Sequence, residues 1–315
     1  MTSPAASLPP RIAVIIPCYN EAVAIPKVVA DFRAALPEAV IYVYDNNSSD
    51  GTVAVARAAG AVVRRETIQG KGNVIRRSFA DVDADIYVLV DGDDTYEAAA
   101  APRMVELLRA EGLDMVNGSR VTDIQAAYRP GHRLGNLVLT GMVRLVFGNR
   151  ISDMLSGYRV FSRRFVKSFP ALAGGFETET EFTVHALDLK MPVGEVTTAY
   201  KDRPPGSTSK LRTYSDGVRI LRTIVVLVKE ERPLQFFSTA GLLLLAVAVL
   251  LGAPVIGEFL STGLVPRLPT AVLATGMTLI SALSFACGLI LDSVARGRKE
   301  MKRLAYLSVP PPPGV

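Results

Sequence analysis

After a Pro/Ala/Ser-rich opening (1–10) that reads as disordered, "RIAVIIP" (11–17) is a nearly unbroken apolar run. Such a run bounded by polar residues suits a strand buried on both faces. A helical pattern follows over 21–36, then a second strand, "VIYVYD" (40–45), and a helical stretch over 52–59. A short strand, "AVVRRE" (61–66), a helix over 70–80, a strand "IYVLVD" (86–91), a helix over 102–111 and a strand "DMVNGS" (114–119) continue the pattern. Strands alternating with helices predict an α/β domain with a mostly parallel sheet covered on both faces. Ligands of such sheets bind outside the carboxyl ends of the strands. The polar clusters fall at those ends: Tyr19-Asn20-Glu21, Asp45 to Asp50, and Asp91 to Asp94.

The pattern changes toward the C-terminus. Residues 236–257 and 268–291 are apolar and carry no charge. At 1.5 Å rise per residue each reaches roughly 30 Å, the thickness of a bilayer's hydrocarbon core. Lys229 and Arg232 precede the first run, and Arg296, Arg298, Lys299, Lys302 and Arg303 follow the second. The connector 258–267 carries only Glu258 and Arg267. The positive-inside rule then predicts a two-helix transmembrane hairpin (236–292) with both outer ends, and the large N-terminal domain, on the cytoplasmic side. Two stretches, 134–149 and 211–235, mix apolar faces with Arg and Lys. The first suits a core or an interfacial helix; the second leads into the membrane and reads as an interfacial amphipathic helix. The expected division is therefore an α/β domain (11–210), the interfacial helix (211–235), the hairpin, and a basic cytoplasmic tail (293–315).

Composition agrees with a membrane-attached protein. The chain has 315 residues, 49% hydrophobic and 21% charged, with a net charge of +5. The basic excess suits nucleic acid, anionic lipid or a phosphorylated substrate. Nucleic-acid binding explains neither the apolar hairpin nor the acidic strand ends. Cys18 and Cys287 lie far apart and imply no disulfide framework.

The chemistry concentrates in "DGDD" (91–94). Crowded carboxylates raise one another's pKa, so something must offset the repulsion. One reading is capping, with Asp93 or Asp94 starting a helix near Thr95. The other is a divalent ion: Mg²⁺ and Mn²⁺ take one or two carboxylates plus substrate phosphate oxygens. "PCYNE" (17–21) is a strand-to-helix turn. "DNNSSDGT" (45–52) carries Asp and Asn side chains suited to hydrogen-bonding a base or ribose. "QGKGN" (69–73) sets a lysine at a helix start, a place for an anion, although it lacks the P-loop spacing.

These segments, in this order, resemble GT-A glycosyltransferases of family 2. "GSR" (118–120), "HRLGN" (132–136), "DMLSGYRVFSR" (153–163), "GFETETE" (175–181) and "YKDRPPGSTSKL" (200–211) are similar to the dolichol-phosphate mannose synthase and bacterial polyprenyl-phosphate glycosyltransferase group. The resemblance spans about 11–235. It implies a GT-A, Rossmann-like catalytic domain with a membrane anchor. Pro17, Tyr19, Glu21 and Asp45 would line the nucleoside pocket, with Lys71 near ribose or diphosphate. Asp91 and Asp93 would hold Mg²⁺ or Mn²⁺. Arg120 and Arg133 match positions that hold the acceptor phosphate. Arg203 and Lys210 match a loop closing over the donor, with Gly206 and Ser207 as its flexible positions. Where some relatives carry Gln this chain has Thr95, a poorer metal ligand. Glu179 and Glu181 suit either a general base or ion-pair partners of Arg159 or Arg203.

The implied reaction moves a hexose from a nucleotide-diphosphate sugar, UDP favoured and GDP-mannose open, to a polyprenyl monophosphate (undecaprenyl or dolichyl), with inversion. Partners would be donor, lipid acceptor and bilayer, without nucleic acid; a homo-oligomer is allowed. The alternatives are a GT-A enzyme with a glycan or other acceptor and a non-catalytic, membrane-tethered binding module. A processive polysaccharide synthase fits poorly, because its Q-x-x-R-W motif needs a tryptophan and this chain has none.

Overall fold

The computed structural model describes residues 9–121, 152–175, 177–204, 225–226 and 228–311. They divide into two compact units, one drawn from 1–224 and 302–315 and the other from 225–301.

The first unit is built on a seven-stranded sheet in the order β3-β2-β1-β4-β6-β5-β7. Its strands are β1 (Ile12–Cys18), β2 (Val40–Asp45), β3 (Val62–Arg65), β4 (Ile86–Leu89), β5 (Met115–Val121), β6 (Arg159–Ser162) and β7 (Val193–Ala199). Helices α1 (Ile25–Ala35), α2 (Thr52–Ala58), α3 (Lys71–Asp81), α4 (Ala101–Ala110), α5 (Arg163–Ser168) and α6 (Thr178–Asp188) cover it. The apolar run of β1 explains its central place, since alternate residues feed two cores. Ile12, Val14 and Ile16 join Ile25, Val28, Val29 and Phe32, which recur at helical spacing on α1. Ala13 and Ile15 join Val74, Ile75 and Phe79 of α3, with Phe161, Phe165 and Phe182.

Register sets the site. Cys18 lies opposite Asp45 across β1–β2, and Ile15 lies opposite Leu89 across β1–β4. β6 runs against both neighbours, with Arg159 opposite Leu89 and Asn117. The segment before β6 therefore starts at the edge where β1, β2, β4, β5 and β7 end. The mostly parallel sheet expected from sequence is present, with β6 as its antiparallel member among the described residues.

Two expected helix starts move. The helix placed over 21–36 begins at Ile25, because Glu21 to Ala24 form a turn whose Glu21 carbonyl accepts from the Ala24 and Ile25 N–H groups. No helix begins near Thr95: after a 3-10 turn (Ala98–Ala100), α4 starts at Ala101 without a side-chain cap. Near the C-terminus of this unit, the Tyr306 hydroxyl donates to the fully buried Asp114 at 2.8 Å.

The second unit contains α7 (Pro233–Thr262) and most of α8 (Leu268–Leu307). Both apolar runs are helical, and α8 continues through the basic stretch expected as a tail. Gly263, at φ 68°, ends α7, and its N–H donates to the Phe259 carbonyl. Buried positions recur every seventh residue: Gly241, Ala248 and Val255 on α7, and Ala274, Ser281, Gly288 and Ala295 on α8. The helices touch along this seam, where the Ser281 hydroxyl donates to the Gly241 carbonyl at 2.8 Å. The other faces leave Leu243, Leu250, Leu260, Leu279, Leu283 and Ile290 exposed. The amphipathic stretch 134–149 lies outside the described residues, as does most of 211–235.

Candidate active site

Asp91 and Asp93 follow β4 at the edge just defined. Lys71, the first residue of α3, donates to Asp91 Oδ1 at 2.5 Å and to Glu179 Oε1 at 2.6 Å. Arg203 pairs with Asp93 Oδ2 at 2.6 Å. The other Asp93 oxygen accepts from the Thr95 hydroxyl at 2.6 Å and from the Thr95 N–H. Thr95 thus bonds to Asp93 from within the core. Burial pushes the Asp93 carboxyl up, the Asp91 charge adds to this, and Arg203 opposes it. Burial favours a neutral Lys71, but Asp91 and Glu179 outweigh it and hold the ammonium protonated.

The capping reading of this cluster is overturned. Asp94 adopts a left-handed backbone (φ 57°) and pairs with Lys27 at 3.1 Å, and Asp93 folds back on Thr95. Glycines make the close approach feasible. A Cβ on Gly157, in the segment leading to β6, would strike the Asp91 carboxylate, and one on Gly92 would lie 2.6 Å from Cys18 Sγ. Cys18 reports the local field: burial raises its thiol, and Glu21, Asp45, Asp91 and Asp93 add to the shift.

Pro17 and Cys18 end β1, and the half-exposed Tyr19 follows. Glu21 and Asp45 are buried beside them. The loops after β1 and β2 are stapled together. Asn20 (φ 54°) accepts from Ser49 N–H, Asp50 accepts from Ala22 N–H and from Thr52, and Glu21 N–H donates to the Thr52 hydroxyl. Asn46 donates to the Glu66 and Ile68 carbonyls and accepts from Gly70 N–H, fixing the turn before Lys71. The amides and carboxylates of "DNNSSDGT", suited by type to a base or ribose, are thus largely engaged with the backbone of their own and neighbouring loops. Asp45 accepts from Ser48 N–H.

Arg120 ends β5. Its Nε and Nη2 donate to both oxygens of Asp153 at 2.7 and 2.8 Å, and its guanidinium lies 5.4 Å from the Tyr200 ring centre. Asn117 donates to Glu195 and to the Asp153 carbonyl, holding the segment in place. Sequence reasoning noted Asp153 only as the first residue of "DMLSGYRVFSR", without a role, and missed Glu195; both lie far from Arg120 in the chain. Arg133, Lys210, Gly206 and Ser207 lie outside the described residues.

The paired acids also resolve. Glu179 pairs with Lys71 and Arg203 with Asp93, so neither expected partner of Glu179 is its ion pair. The fully buried Arg159 donates instead to the Met154 and Ser156 carbonyls and the Thr183 hydroxyl, and burial lowers it to about 10. Glu181 accepts the Leu172 and Ala173 N–H groups and serves as a loop staple.

Asp91 and Asp93 fit a hard divalent cation. Both are oxygen donors, and a positive group already contacts each. Among the described residues no set of three or more His, Cys, Asp or Glu converges on one point, so such an ion would need further oxygen ligands.

Comparison with known proteins gives the family and the fold. Residues 13–169 match the Glycosyl transferase family 2 profile. The glycosyltransferase AglJ of Haloferax volcanii is 32% identical over 307 residues, covering 95% of this chain and 99% of AglJ. A dolichyl-phosphate hexose transferase of the same organism is 27% identical, covering 70% of this chain and 95% of its own. Among solved structures, Mycobacterium tuberculosis glucosyl-3-phosphoglycerate synthase in complex with Mn²⁺ and UDP-glucose superposes with TM-score 0.56 at 24% identity, over 70% of this chain and 78% of that one. The fold is shared with that enzyme, and the chain belongs to glycosyl transferase family 2.

Proposed function

We propose that this glycosyltransferase moves a hexose from a nucleotide-diphosphate sugar, UDP favoured, to a polyprenyl monophosphate at the cytoplasmic face of a membrane. The observation that carries the donor half is the meeting of Asp91 and Asp93 with Lys71 and Arg203 at the carboxyl edge of the sheet. Carboxylates for a bridging Mg²⁺ or Mn²⁺ and cations for phosphate oxygens stand within one cluster. When bound, the ion would be held by Asp91 and Asp93 and would stabilise charge on the departing diphosphate. Pro17, Tyr19, Glu21 and Asp45 border the corner assigned to the nucleoside.

In the reaction a phosphate oxygen of the lipid forms a bond to the sugar's anomeric carbon. The bond from that carbon to the nucleotide diphosphate breaks, and its electron pair leaves with the diphosphate. With a second pKa near 6 the acceptor phosphate is largely dianionic at neutral pH, so no strong base is required. The protein's part is alignment and charge stabilisation. Arg120 gives Nε and Nη2 to Asp153, which leaves its Nη1 amino group for an acceptor phosphate; Arg133 and Lys210 are assigned the companion roles expected of them. The dolichyl-phosphate hexose transferase among the relatives supports a lipid phosphate as acceptor.

α7 and α8 support a membrane anchor, because their apolar outer faces remain uncovered and a soluble protein rarely leaves so much apolar surface exposed. Incubating the detergent-solubilised protein with Mn²⁺ or Mg²⁺, a polyprenyl phosphate and a panel of UDP- and GDP-sugars tests the proposal by mass spectrometry. One lipid-phosphate-sugar from one donor is expected. Donor hydrolysis without a lipid product would move the acceptor to another class.

A further inference from the structure

Glu179 stands on the first turn of α6 and is only 5% exposed. Its Oε1 accepts from Lys71, while its Oε2 meets no hydrogen-bond partner among the described residues. A buried carboxylate with an unmatched oxygen is costly. Lys71 is nearly sealed as well, its side chain 8% exposed, and it reaches Asp91 with the same ammonium. The two helix starts meet without slack: a Cβ on Gly72 would collide with the Ala173 carbonyl and lie 2.6 Å from the Thr178 hydroxyl. Glycine at that position lets α6 bring Glu179 up to the lysine.

We infer that Glu179 is a positioning residue whose charge anchors the Lys71 ammonium beside Asp91. A lysine has a flexible four-carbon stem whose many rotamers must be frozen to hold its ammonium in one place. Held by Asp91 alone, it would leave once that carboxylate engaged a stronger cation. Glu179 supplies a second, buried attachment that persists, so a positive charge stays at the acidic edge when ligands arrive. The anchoring stands on geometry alone; its consequence for the donor diphosphate rests on the function proposed above.

The test uses the full chain in detergent. Lys71 acylation by an amine-reactive ester is followed by mass spectrometry, and UDP affinity by calorimetry with Mn²⁺ present. In the wild type Lys71 is protected. In Glu179→Gln it should label several-fold faster, with Lys27 and Lys190 unchanged as internal controls. UDP binding should weaken about tenfold, the scale of one lost charge-assisted hydrogen bond. Lys71→Met should weaken it comparably, and the double variant no further than Lys71→Met alone, because the two act as one unit. A Glu179→Gln effect that persists in full in the Lys71→Met background would overturn the inference, as would unchanged Lys71 labelling. If Glu179→Gln does not fold, Glu179→Asp, which keeps the charge but withdraws it, should give intermediate labelling. A wild type that binds neither UDP nor GDP would sink the donor reading, while the labelling arm still decides the anchoring.

Discussion

Asp93 has both oxygens committed, one to Arg203 and one to Thr95, and it is held against the charge of Asp91. Asp91 by contrast has Lys71 on one oxygen and glycine at 157 facing its carboxylate. That difference makes Asp91 the cleaner probe of the proposed chemistry. Asp91→Asn keeps the shape and leaves Lys71 its bond to Glu179. It should lower kcat/KM by about 10²–10³-fold, the scale of losing a preorganised electrostatic group, with an unchanged melting profile. Unaltered turnover would remove the metal assignment. His185 gives a prediction independent of catalysis. Burial, assisted by Lys302, lowers its pKa from 6.5 to about 3. The unfolded chain therefore binds a proton that the native state refuses between those values, and stability falls as pH drops below 6.5. At pH 5 the loss is about 2 kcal/mol relative to neutral pH. Melting curves at pH 7 and pH 5 should converge for His185→Gln if this residue is the cause.

The five strands that alternate with helices were legible because each is a compact apolar run with polar punctuation. β6 was not, because "RVFS" begins with an arginine, and only the structure reveals a guanidinium buried against carbonyls and a hydroxyl. β7 was missed because "VGEVTTA" has a glycine, a glutamate and two threonines among few apolar residues. The acidic ends of β1, β2 and β4 were visible, but the acids that hold the end of β5 were not: Asp153 and Glu195 reach Arg120 and Asn117 through sheet topology, which spacing does not encode. On the apolar helices, the contact seam could have been read from the period of seven. There Gly241 is decisive, since a Cβ would lie 3.1 Å from the Phe285 ring and 3.2 Å from the Ser281 carbonyl. Gly241→Leu should separate α7 from α8 and cost roughly 1–3 kcal/mol, the range for overpacking, read as a lower melting temperature in detergent. Leu243→Ala, on an uncovered face, should leave it unchanged.

For the whole molecule, the proposed topology places the connector between α7 and α8 on the far side of the membrane from the catalytic edge. In intact cells Thr262→Cys should react with a membrane-impermeant maleimide, and Ser308→Cys only after permeabilisation. The opposite pattern would put the acidic edge outside and remove the cytoplasmic assignment. At the same scale, the stapled loops after β1 and β2 bear on how a ligand is received. Asn20 and Asn47 already sit in left-handed conformations, at φ 54° and 66°, and Asp50, Thr52 and Asn46 bind neighbouring backbone. The conformational freedom of this corner was surrendered when the chain folded, so a nucleotide arriving later need not freeze it again. Binding should therefore release heat without a large opposing loss of entropy from these loops, and a calorimetric titration with UDP would register the difference.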